Sequence, residues 1–151
     1  MPAAAYIVCA QNVSRDETNN LVSLNAVIER MVIRIDPKHK KPKKKKADGP
    51  VLIPAPLKGI AVWSREEADK DSEFESEVVV RTPDGEESVM ATTTFSFGEG
   101  QNLQRIFLNF AGIPWMNTSG VLVVENRVRK VGNKRWKSQS YPILVDMAKP
   151  K

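Results

Sequence analysis

Apolar and polar residues alternate with a period of two over most of the chain, which sends successive side chains to opposite faces of an extended backbone. The pattern is cleanest from Phe74. Phe74, Ser76, Val78 and Val80 fall on one face and Glu75, Glu77, Val79 and Arg81 on the other, predicting a strand with one buried face. Pro83-Asp84-Gly85-Glu86 supplies a preset φ and a tolerated positive φ, so the chain should reverse into a second strand over residues 89–97. A Gly98-Glu99-Gly100 loop follows, then a strand over 105–110 with Ile106, Leu108 and Phe110 inward, ended by Ala111-Gly112-Ile113-Pro114. Gly120 opens a strand over 121–129, and Gly132-Asn133 turns the chain into 136–141 and finally 143–147.

The first third of the chain is less regular. Residues 5–11 alternate as a strand, and a polar stretch over 12–20 carries the chain into 21–28. That run fits two periods: Val22, Leu24, Ala26 and Ile28 alternate, while Leu21, Leu24, Ile28, Met31 and Ile35 would line a helical face. The β-branched Val22, Val27, Ile28, Val32, Ile33 and Ile35 favour strand, because such side chains lose rotamer freedom in a helix. Pro50, Pro54 and Pro56 then force an extended approach to an alternation over 57–64 that includes Trp63. Strands at this spacing, joined by Gly, Pro and Asn turns, predict an all-β chain: one two-layer antiparallel β-sandwich of about eight strands. Its expected core includes Tyr6, Val8, Leu24, Trp63, Val78, Val80, Phe95, Leu108, Val121 and Val123.

A length of 151 residues suits a single domain spanning 1–151. Charge changes the picture at one place. Residues 37–50 hold Lys38, Lys40, Lys41, Lys43, Lys44, Lys45 and Lys46 against Asp48, a net +6, so a chain of +5 overall is −1 elsewhere. Such a tract repels itself, and it is expected to be a flexible Lys/Pro-rich loop that attracts polyanions. A second basic group, Arg127, Arg129, Lys130, Lys134, Arg135 and Lys137, surrounds Trp136, a mixture compatible with stacking on single-stranded nucleic acid. Trp115 and Met116 stand apart in a turn and are candidates for contact with a protein partner.

Other chemistry finds little footing. One cysteine, Cys9, closes no intramolecular disulfide, and the one histidine, His39, lies within the lysine tract, where nothing positions it as a base. Asp69, Asp71 and Glu73 have the spacing of calcium-loop ligands, but Phe74 stands where that loop needs its turn glycine. Gly98-Glu99-Gly100 lacks the Lys-Ser/Thr pair of a phosphate loop. No cofactor, metal or catalytic residue is expected. Residues 1–11 lack a basic leader, and the apolar stretch 3–10 falls short of the roughly 20 residues that span a bilayer, so a cytoplasmic protein without a membrane span is expected.

Cys9-Ala10-Gln11-Asn12-Val13, Val22-Ser23-Leu24-Asn25-Ala26, Thr82-Pro83-Asp84-Gly85, Gly112-Ile113-Pro114 and Ser119-Gly120 together resemble a family of small bacterial proteins of unknown function. The resemblance implies an immunoglobulin-like β-sandwich and brings no catalytic residues with it. The expected function is a non-enzymatic interaction or structural module that binds a protein partner, or a second copy of itself, through loops or an edge strand. The alternative is a nucleic-acid-associated module using the lysine tract and the basic hairpin.

Overall fold

A computed structural model describes residues 1–16, 18, 20–34 and 51–148. The expected Lys/Pro-rich loop, residues 37–50, lies outside the described residues. The chain is all-β. Its strands are β1 (Ala3–Asp16), β2 (Leu21–Val27), β3 (Arg30–Arg34), β4 (Leu52–Ile53), β5 (Lys58–Ser64), β6 (Phe74–Arg81), β7 (Glu87–Phe95), β8 (Leu103–Asn109), β9 (Ile113–Pro114), β10 (Gly120–Lys130) and β11 (Lys137–Ala148). One 3-10 turn, Glu67–Asp69, interrupts them, and no helix among the described residues is long and apolar enough to cross a membrane.

The strands form a four-stranded sheet in the order β2-β1-β5-β8, a five-stranded sheet in the order β3-β11-β10-β6-β7, and a two-stranded ribbon of β4 and β9. Among the described residues every pairing is antiparallel except β3 with β11. The β6–β7 turn falls where Pro83-Asp84-Gly85 predicted it, with Gly85 at φ 90° and its N–H donated to Thr82 O. At the β4–β9 ribbon, a Cβ on Gly112 would stand 2.5 Å from Ile53 O, so glycine is what lets the two backbones meet.

Several expected boundaries move. The polar stretch after Gln11 is strand rather than loop up to Asp16, because hydrogen bonding to β2 needs no apolar side chains. The expected strands 136–141 and 143–147 are one strand, β11, that runs through Pro142. Val131 N–H bonds Glu73 O, and strand alternation from that bond turns the backbone of residue 142 away from β10. β3 pairs with β11 only from Leu144 onward, so the missing N–H of Pro142 costs no ladder bond. β3, β4 and β9 have no separate counterpart in the periodicity, two of them being two residues long.

One apolar cluster joins the two larger sheets: Ile7, Cys9, Ala61, Trp63, Ile106 and Leu108 from one, Val78, Val80, Leu122, Val124, Val128 and Ile143 from the other. Trp63, Val78, Val80 and Leu108 are inside as expected, and Phe95 is half-buried against them. Two faces are reversed. Tyr6 is 48% exposed while Ile7 and Cys9 are buried, and Val121 is 45% exposed while Leu122 and Val124 are buried. Val8, Val123 and Leu24 are half-buried and lie outside the cluster. In β10 the charged Glu125, Arg127 and Arg129 share a parity with Val121 and Val123, and a charged face goes to water before an apolar one goes inside. β1 carries no such charge before Arg15, so its apolar residues fit either face.

The core also holds a polar link. Asn126 is fully buried in β10, accepts the indole N–H of Trp63 at 2.7 Å, and donates to Ser76 Oγ at 2.8 Å and Glu77 O at 3.1 Å. Leu122→Ala is therefore expected to cost about 2–5 kcal/mol, a large share of a typical 5–15 kcal/mol, whereas Val121→Ala should stay within about 0.5 kcal/mol. Urea denaturation of the two variants measures both. Equal losses would show that the β10 faces are assigned wrongly.

Candidate interaction site

The basic hairpin is assembled, but its arginines are engaged. Register places Arg127 opposite Glu77 and Arg129 opposite Glu75. Arg127 Nε donates to Glu77 Oε2 at 2.9 Å and Arg129 Nε to Glu75 Oε2 at 2.7 Å. Both guanidinium groups also lie against Trp136, 5.0 and 4.2 Å from its ring centroid. Lys130, Lys134, Arg135 and Lys137 are exposed. The expected stacking platform is thus occupied by the chain's own cations, and its charge is balanced by carboxylates of β6. Glu75 and Glu77, two positions apart like Arg127 and Arg129, were the signal for this pairing. The other expected polyanion contacts, Lys38, Lys40, Lys41, Lys43, Lys44, Lys45 and Lys46, lie outside the described residues, as does His39.

At the turn after β9, Trp115 is half-buried and its N–H bonds Val51 O at 2.8 Å. Met116, expected beside it as a contact, is fully buried in the apolar cluster and offers no surface. Of the acidic run, only Asp69 turns inward. Asp69 is buried, 2.8 Å from the Met1 ammonium, and accepts the Glu66 N–H at 2.9 Å, while Asp71 is exposed at φ 61°.

A site that periodicity did not indicate lies along β8. Arg65 N–H bonds Asn102 O, so strand alternation directs the backbone groups of Leu103, Arg105 and Phe107 away from β5, at an edge that no other strand among the described residues pairs. Gln101 Nε2 donates to Leu103 O at 2.7 Å and Gln104 Nε2 to Arg105 O at 3.4 Å, so side-chain amides stand where a neighbouring strand's N–H groups would. Leu103 is 46% exposed and Phe107 37%. The β1–β2 turn reaches this strand: Arg105 Nη1 donates to Asn20 O at 2.9 Å and Oδ1 at 3.1 Å, and Arg15 Nε donates to the same Oδ1 at 3.1 Å. Between turn and strand lies an open cleft of about 560 Å³. Its parts are some 85 residues apart in sequence, which no local pattern reveals.

Cys9 is packed beside Gly59, and burial pushes its thiol from 9.0 up to about 12. A thiol that stays protonated to higher pH when folded gives stability that is complete below its unfolded value and falls as pH climbs from about 9 towards 12. Over that window the wild type should lose up to about 1.4 kcal/mol per pH unit more than Cys9→Ala. Urea midpoints at pH 8.5 and 10.5 measure the difference, and parallel slopes would count against a thiol held in the core. No protein-family model matches the chain, and no curated protein matches it.

Proposed function

We propose that this chain is a non-enzymatic interaction module, an immunoglobulin-like two-layer β-sandwich that receives an extended segment of a protein partner along the free edge of β8. Support for the sandwich comes from sheet order. The series β11-β10-β6-β7 and β1-β5-β8 match the G-F-C-C′ and A-B-E orders of that fold, and the two sheets share one apolar cluster. The chain departs from immunoglobulin domains in carrying Trp63 on β5 and no disulfide among its described residues. The family of small bacterial proteins suggested by its turns fits the same reading.

The observation that carries the function is the edge of β8. Strand addition needs outward backbone groups with pockets or apolar side chains alternating beside them, and β8 offers both. β7, an edge of the five-stranded sheet, is bulged against β6 between Val78 and Val79, a feature that discourages pairing there. The nucleic-acid alternative draws less support, since Arg127, Arg129 and Trp136 are spent on one another and on Glu75 and Glu77.

A photo-crosslinking benzoylphenylalanine at position 107, compared with one at the exposed Val131, tests this in the native cell. Protein adducts should form from position 107 and be weak from 131. Adducts to nucleic acid, or protein adducts from 131 alone, would overturn the proposal.

A further inference from the structure

We infer that the β8 edge selects partner segments with a carboxylate side chain set between two apolar residues, in the pattern apolar-x-Glu/Asp-x-apolar. The inference rests on the edge-strand reading and specifies its ligand. Arg15 and Arg105 both donate to one neutral acceptor, Asn20 Oδ1. Among the described residues neither makes an ion pair, in which they differ from Arg30, Arg81, Arg127 and Arg129 and resemble Arg65, whose guanidinium donates to the neutral Asn102. No described acidic residue lines the cleft they border. Two guanidinium groups sharing an amide oxygen form a ready site for a carboxylate, whose charge-assisted hydrogen bonds are shorter and about twice as strong.

Strand geometry then fixes the spacing. Leu103, Arg105 and Phe107 alternate on β8 with Ile106 and Leu108, which are buried, so these three present one face together. In an added strand, the residue opposite Arg105 has its neighbours two positions away opposite Leu103 and Phe107, whichever way the strand runs. A carboxylate facing Arg105 is therefore flanked by positions that face an exposed leucine and an exposed phenylalanine. The amides of Gln101 and Gln104 can give up the edge carbonyls to the incoming N–H groups. A nucleic-acid strand would satisfy the arginines but has no use for that edge, which is why a peptide is favoured.

The test is a titration of the full chain, followed by backbone amide NMR, with the blocked pentapeptide acetyl-Val-Thr-Glu-Thr-Val-amide and its Glu-to-Gln analogue. Shifts should concentrate on residues 101–109 and Asn20, with the Glu peptide binding about tenfold more tightly. Arg105→Gln should bring the two peptides close to parity, and Arg15→Gln should act in the same direction should the first variant disturb the turn. Equal binding by both peptides, equal gain from a Gln peptide ending in a free carboxylate, or stronger shifts with inorganic phosphate or a thymidine decamer would each overturn the inference. Crosslinks from position 107 separate the two readings. If they persist while the peptides are not distinguished, only the carboxylate preference fails, and if they vanish the edge-strand module fails with it.

Discussion

Asn126 sits in the middle of β10 with no exposed surface, and three groups from two sheets converge on its amide. A buried amide without partners would be destabilising by several kcal/mol, so its position is admissible only if Trp63 and Ser76 stand where they do. That constraint is stronger than anything the surrounding valines impose, because apolar side chains accept many packings and a hydrogen-bonded amide accepts few. It fixes the register of β10 against β6 and the position of β5 across the core. A one-residue slip of β10 would bring Glu125 or Arg127 to the same place and expose Val124 and Val128.

The outer face of the same strand follows from this inner choice. With Asn126 inward, Arg127 and Arg129 have to point out, and β6 presents Glu77 and Glu75 opposite them. Trp136 then covers the guanidinium groups from the turn. Half-buried ion pairs of this kind contribute modestly to stability, yet they hold a tryptophan against charge rather than leaving it free. Of the hairpin's basic residues, the two arginines of β10 are neutralised in this way, while Lys130, Lys134, Arg135 and Lys137 stay exposed.

Alternation revealed most of the strands because charged and β-branched residues marked their faces in β6, β8 and β10. Where marks were missing the faces were ambiguous: Tyr6 and Ile7 both carry large apolar surface, and no charge in β1 before Arg15 says which faces water. The polar half of β1 was invisible for the opposite reason, since residues without apolar side chains leave no periodicity even when their backbones pair. Pro142 misled as a breaker because its consequence depends on whether a neighbour lies on its N–H side, and that neighbour, β3, comes from more than a hundred residues earlier. The β8 cleft was out of reach altogether. Its arginines and amides come from the end of β1 and the turn after it and from β8 and the loop before it, and only the folded chain brings those two segments together.

The glutamine amides on the edge of β8 bear on more than protection. A strand that adds there does not gain two hydrogen bonds at Leu103 and Arg105; it exchanges two that already exist for two of the same kind. Such an exchange is close to neutral in free energy, which leaves the outward N–H groups of Leu103, Arg105 and Phe107 as what backbone pairing adds for any extended chain. Discrimination passes to the side chains, where sequences differ. An edge guarded in this way is selective before it is adhesive.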